Sequence, residues 1–593
     1  MNEHTESSAG SSEFRNLRVL QICGGLIWMI CLAICVLSQR FSWGQHYQGR
    51  PVWLFVGLMT VAFLLQLIAF RAAVRLRSRA GVARLIVFLG IAYRLVLLPS
   101  HPIQEVDIYR YMWDGAVVAH GDNPYRFSPQ DVLQARDPFG DAALASVCGV
   151  RDSSAQLADT LSRVHYADLT TIYPPVSQAV FAAAACVLPA DAPVPVRRTV
   201  TKLLIVVFDV LAMFALLLLL QYCRKPVGWL VCYAWSPLVL KEFANSGHLD
   251  SIAVAFSAGA VLLWVVAVDR RSLWWLTQAA VLLGLAVGAK LYPVVIVPVI
   301  VASVFRTFGA KGVLVSGGSF LLVSVLTVTP MFVRARGVET PKGPTVVSDV
   351  AGLAVDDSPP LPPDFDLVVG TAQLPDAGSR HDVGPLPDAG QPQAVQYQAE
   401  PDTGDGFSEF VSRWRMNDLV FLVLSENLVP NSRAWFSVLP NSVRDAVLQP
   451  VIRLADVSAA QAAFFAARGI VVAVHLLIVC WLTVVAFRAT VRQLPALAFY
   501  CVAWFWLLLP TQNPWYWIWA LPFVAFARQR SWILIAGASV IYYLRFWLQN
   551  DVGSRVILNS GYNGPEFFNF VVVWIEHLPV LLLLLVEWWR RRR

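Results

Sequence analysis

The chain has 593 residues, of which 57% are hydrophobic and only 14% charged, where ordinary soluble domains carry about 25% charged residues. That balance excludes a soluble fold with a single core. The net charge of +7 does not point to nucleic acid. The basic residues sit in short clusters beside apolar blocks: Arg71, Arg75, Arg77 and Arg79; Arg270 and Arg271; Arg306 and Lys311; Arg528 and Arg530; and Arg590 to Arg593. This is how cytoplasmic loops of membrane proteins are marked.

Blocks of apolar residues, most of them the length needed to cross roughly 30 Å of hydrocarbon, fall near 17–38, 53–72, 83–99, 200–221, 228–247, 251–268, 272–289, 291–305, 312–333, 466–487, 494–510, 515–527, 531–548 and 566–586. The expected fold is an all-α polytopic membrane protein, a bundle of about 13–15 transmembrane helices with a large first extracytoplasmic loop. Fourteen crossings put both termini inside, in keeping with the C-terminal arginines. The shorter Ala-rich block 174–188 reads as re-entrant or peripheral, because a full crossing there would move the later arginine clusters outside. Residues 1–16 form a cytoplasmic tail, and the first apolar block is a retained helix, since no small-residue cleavage site follows it. Nine cysteines without a CxxC pair suggest neither a disulfide framework nor a zinc site.

The segments then follow in order. Residues 17–333 form an N-terminal transmembrane module whose outer loop, 100–172, holds ten acidic and five basic residues. Residues 334–408 are acidic and rich in Pro and Gly, repeat Leu-Pro-Asp-Ala-Gly at 374–378 and 386–390, and are expected to be a disordered extracytoplasmic insert. Residues 409–465 alternate apolar and charged residues, as amphipathic helices on the outer surface do. Residues 466–593 supply the remaining helices and the arginine tail.

Four polar strings are predicted on the outer face. In the first, 101–129, Glu105 and Asp107 follow a membrane helix directly. Either carboxylate can take a proton from a sugar hydroxyl, while its neighbour holds the acceptor or raises the base's affinity for protons by like-charge repulsion. Tyr109, Arg110, Trp113, Asp114, Asn123, Tyr125 and Arg126 add flat faces and hydrogen-bonding groups suited to sugars. The plainer reading is an acidic loop with interfacial aromatics. The second string, 241–250, places Lys241, Glu242, Asn245, His248 and Asp250 between two apolar blocks. Ionisable groups at membrane depth are costly and usually functional, although a short surface loop would also explain them. In the third, Lys290 and Tyr292 stand where an outward lysine needs an anion, such as a lipid phosphate, unless it merely reaches for headgroups. The fourth, 510–517, offers Asn513, Trp515 and Tyr516, or else an aromatic girdle.

The strings DIYRYMWDG and GDNPYRFSP (107–115 and 121–129), IYPPVSQAVF (172–181), SPLVLKEFANSGHLD (236–250), AKLYP (289–293) and QNPWYW (512–517) together resemble bacterial mannosyltransferases of the GT-C superfamily, polytopic enzymes that use polyprenyl-phosphate sugars. The resemblance covers most of the helical scaffold, in family order, but not the acidic insert. It implies transfer of a sugar, mannose foremost, to a glycan or glycolipid acceptor on the extracytoplasmic face of the bacterial inner membrane. It implies a catalytic carboxylate at Asp107 or Glu105, with Asp107 favoured because the DIYRY string begins there. Tyr173, Asn245, His248 and Asp250 then line the same cavity, and Lys290, Tyr292 and His248 meet the donor phosphate. Some relatives use a divalent cation, Mg or Mn, near the loop carboxylates. A transporter or flippase of lipid-linked sugars is the chief rival, but such proteins usually show internal repeats, and none is visible here.

Overall fold

A computed structural model describes residues 2–76, 79–135, 140–332 and 414–592. The acidic stretch 334–408 lies outside the described residues. Helix dominates because backbone groups in hydrocarbon must find their partners within the segment. Among the described residues, ten helices are long and apolar enough to cross a membrane. The one spanning Tyr292–Met331 is two limbs, since Gly309 adopts φ 64°, ψ −161° and turns the chain back. The helix Leu273–Ala289 and the irregular stretches 227–246 and 514–526 occupy three further apolar blocks that are shorter or less regular than these ten.

The contacts between helix ends sort these crossings onto two faces. On one face, Lys202 donates to the carbonyls of Leu97 and Ser100, Asn245 donates to the His101 carbonyl, and Gly49 N–H donates to Asp551. On the other, Tyr222 donates to Asp269, Arg306 donates to the Phe487 carbonyl, and Lys225 sits over Phe526. The helix ending at Leu97 and the helix Val194–Tyr222 therefore meet at the first face, and residues 98–193 leave and return to it. The helix Pro175–Cys186 belongs to that excursion and packs along Ile108–His120.

Close approach and buried charge fix the helices against one another. A β-carbon on Gly115 would strike the Phe181 backbone, which is why the string around Asp107 carries a glycine there. Gly284 and Gly288 likewise admit Val323 and Thr327 from the returning limb, the small-residue spacing that lets membrane helices approach closely. Arg94 and Asp209, both without solvent exposure, form a two-pronged pair at 2.6 and 3.0 Å. Tyr233 donates to the same carboxylate at 2.8 Å, so three crossings are tied by one network.

The excursion 98–193 has its own small core of Trp113, Val117, Val132, Val147, Cys148, Leu157 and Leu161. After the acidic stretch, Met416 pairs with Thr511 in a short parallel bridge, and Asn417 donates to Gln512 O and Glu576. The chain resuming at 414 is thus strapped over the first face. Helices Val420–Leu428 and Asn441–Ala455 follow and lead into the crossing Ala459–Ala486, which opens with a Ser458–Gln461 capping box.

Candidate active site

A cavity of about 600 Å³ opens at this first face. Each of the four polar strings contributes to its wall, and so do several segments the strings do not include. Glu105, Asp107 and Arg110 come from the excursion, Asp250 from the start of its helix, Lys290 and Tyr292 from the turn between helices, and Asn513, Trp515 and Tyr516 from the break after Leu508.

Asp107 sits just before Ile108–His120 but does not cap it. Its Oδ2 accepts one long hydrogen bond from Tyr173, at 3.4 Å, which leaves lone pairs directed at the cavity. Glu105 Oε1 accepts from Tyr542 at 3.3 Å. Burial pushes the Glu105 carboxyl up to about 7, against the pull of Lys241 and His248. The preceding Gln104 is held at φ 69°, a conformation side chains seldom adopt, and this turns the acidic pair toward the cavity. Lys290 pairs with Asp250 at 2.8 Å, and its ammonium lies over Tyr516 and Trp519. Trp519 also donates to Asp250, at 2.6 Å, and stacks on Tyr292.

Several expected residues serve the wall from behind and do not line it. Tyr109 packs against Trp43 and Arg163. Trp113 is in the small core of the excursion. Asp114 is buried, held by Arg110 and Gln178, so it fixes Arg110. Asn123 accepts from the Tyr125 N–H within a turn, and Tyr125 donates to the Tyr173 carbonyl. Asn245 accepts from Ile103 N–H and donates to Ser100 and His101. His248 pairs with Glu242 at 2.9 Å and lies against Trp515 with ring centres 4.2 Å apart, so it reaches the cavity only through that ring.

Other wall residues were not anticipated: His165, Tyr166, Trp414, Met416, Arg468, His475, Trp519, Tyr542 and Arg545. Most are single polar or aromatic residues within apolar blocks, where they read as interfacial anchors. Arg545, beside the Tyr-Tyr pair 542–543, was the most legible of them, as an arginine in the middle of an apolar block.

Among the described residues no three His, Cys, Asp or Glu side chains converge as a metal site. Two carboxylates suffice for a magnesium ion whose other ligands are water and substrate phosphate, so Glu105 and Asp107 fit that more modest role.

At its far end the cavity is lined by Val471, Val472, Leu476, Phe505, Leu508 and Leu509. Val472 and Leu476 are 51% and 57% exposed, so this end opens sideways, where lipid would lie.

Neither the curated proteins nor the solved structures include a match to the chain. Residues 33–306 match the family described as alpha-(1->6)-mannopyranosyltransferase, N-terminal domain, a span that includes Glu105, Asp107, Asp250, Lys290 and Tyr292 but ends before Asn513, Trp515 and Arg545. The stretch similar to that N-terminal domain thus lies within a bundle of helices long and apolar enough to cross a membrane.

Proposed function

We propose that the chain transfers mannose from a polyprenyl-phosphate donor to a glycan or glycolipid acceptor, on the extracytoplasmic face of a bacterial cytoplasmic membrane and with inversion at the anomeric carbon. The observation that carries this reading is the two-ended cavity. One end gathers carboxylates, cations and aromatic rings, and the other is apolar and opens sideways through Val472 and Leu476. A sugar joined to a long hydrocarbon by a phosphate has these same three parts in the same order. The facing follows from charge. Arg270, Arg306, Lys311, Arg528 and Arg590 to Arg592 belong to the face opposite the cavity, which is cytoplasmic by the positive-inside rule.

In this mechanism Asp107 takes the proton of the acceptor hydroxyl. The hydroxyl oxygen then attacks the anomeric carbon as the bond from that carbon to the phosphate oxygen breaks. The electron pair leaves with the polyprenyl phosphate, whose growing charge meets Lys290, Arg545 and the Tyr292 hydroxyl. Tyr173 orients the Asp107 carboxylate, and Glu105 beside it holds the acceptor. Glu105 and Asp107 would hold a magnesium ion, which would supply positive charge to the leaving phosphate. No step above requires it.

The test supplies membranes containing the full chain with radiolabelled polyprenyl-phosphate mannose and crude acceptor. Wild-type transfer, lowered about 10²-fold or more in Asp107→Asn, supports the assignment. Loss in Glu105→Gln with transfer retained in Asp107→Asn moves the base to Glu105. Movement of the labelled lipid across the bilayer without transfer would overturn the enzyme reading.

A further inference from the structure

Arg468 lies within the membrane-crossing helix Ala459–Ala486 and lines the cavity at its sideways opening. Its guanidinium rests on the Phe464 ring at 4.9 Å. Among the described residues no carboxylate stands within ion-pair distance of it. Two turns deeper on the same helix face, His475 also lines the cavity, and both of its ring nitrogens are buried without a hydrogen-bond partner. Between them come Val471 and Val472, and beyond them Leu476. An unpaired cation and an unpartnered imidazole are costly on a membrane helix and are retained there for function.

Seven residues of helix separate the two by about 10 Å, an interval that a long arginine side chain and an imidazole bracket from either end. A wall of rings runs on from His475 to the polar end. His475 contacts Phe505 at 5.3 Å, Phe505 stacks on Trp519, and Trp519 donates to Asp250, the partner of Lys290.

We infer that Arg468 and His475 form a second phosphate position at the lateral opening, where a prenyl phosphate waits on its way to or from Lys290. The inference rests on the prenyl-phosphate donor proposed above. The ligand's phosphate pairs with the Arg468 guanidinium and accepts an N–H from His475, while its hydrocarbon lies along Val471, Val472 and Leu476 toward the bilayer. The position lies in the C-terminal half, outside residues 33–306.

The test uses the full chain in lipid nanodiscs and measures binding of farnesyl phosphate, farnesol and inorganic phosphate. Wild type is expected to bind farnesyl phosphate at least tenfold more tightly than farnesol. Arg468→Gln and His475→Phe are each expected to weaken farnesyl phosphate by about tenfold without affecting farnesol, and Arg468→Lys to recover part of the loss. Unliganded thermal unfolding within a few degrees of wild type shows that the variants fold. In transfer assays Arg468→Gln should raise the donor KM with kcat within about twofold, because the reacting position keeps Lys290.

Farnesyl phosphate bound equally well by wild type and by both variants would overturn the inference. Displacement of farnesyl phosphate by inorganic phosphate at similar concentrations would also overturn it, by assigning the position to free phosphate. Arg468-dependent binding in a protein that transfers no sugar would remove the transferase reading and leave this position standing.

Discussion

The Lys290 ammonium stands 2.8 Å from Asp250 Oδ1, and the same oxygen accepts from Trp519 at 2.6 Å. The lysine is therefore fixed between a carboxylate and two ring faces. It has three donor protons and spends one on Asp250, so the remainder can meet a phosphate. Because a preformed donor costs nothing to reorganise when charge develops, removing it should lower kcat more than it raises KM. Lys290→Met is expected to reduce kcat about 10²-fold in a transfer assay. A change confined to KM would show that the lysine only recruits donor.

The acidic pair predicts a pH profile. Burial holds the Glu105 carboxyl at about 7, so it ionises as pH rises through neutrality. Ionised Glu105 can hold the acceptor beside Asp107 through its hydroxyls, and kcat/KM should climb through the same range. Glu105→Gln is expected to stay near the low-pH activity of wild type and lose this limb. The same group also makes folding stability depend on pH. Its folded value lies above the unfolded one, so stability is greatest below pH 4.5 and falls as pH rises toward 7. The Tm of Glu105→Gln should vary less between pH 5 and 7.5 than that of wild type. An unchanged limb near 7 in Glu105→Gln would assign the ionisation to another group.

Arg94 and Asp209 test the scaffold apart from the chemistry. Neither side chain is exposed, and Arg94 also donates to the Gly90 and Ala234 carbonyls. Breaking a buried pair leaves an uncompensated charge and costs about 3–5 kcal/mol, whereas replacing both partners by apolar residues is often nearly neutral. Arg94→Met should lower the unfolding temperature sharply in detergent, and Arg94→Met with Asp209→Leu should recover most of the loss. If Arg94→Met is as stable as wild type, the pair does not hold the three crossings together.

The crossings were readable because hydrocarbon imposes one rule on every backbone group, and an apolar run records it directly. The hairpin at Gly309 was readable because Arg306 and Lys311 interrupt the run on either side of it. Within the polar strings, however, two jobs share one vocabulary. Asp107 and Asp250 face the cavity, while Asp114 and Asn245 are spent on holding backbone and Arg110 in place, and composition does not separate them. Arg468, His475 and Arg545 were missed for the opposite reason. Each is a lone polar residue in an apolar block, and only folding brings the three to one cavity. Tyr166 and Trp414 meet at 5.0 Å from positions on either side of six crossings, a proximity no local pattern carries.

His248 gives the last prediction, because its place differs from what the polar string suggested. It pairs with Glu242, which also takes Lys241 and the Tyr543 hydroxyl, and its ring lies on Trp515, which lines the cavity. A residue that acts through another should show coupling with it, since contacting pairs are not additive. His248→Ala is expected to weaken transfer, Trp515→Ala to weaken it similarly, and the double variant to be little worse than either. Trp515→Phe, which keeps a ring against the imidazole, should restore much of the activity. Direct contact between His248 and the donor phosphate makes a different forecast. There the two losses would multiply, the donor KM would carry the His248 effect, and Trp515→Phe would bring no rescue.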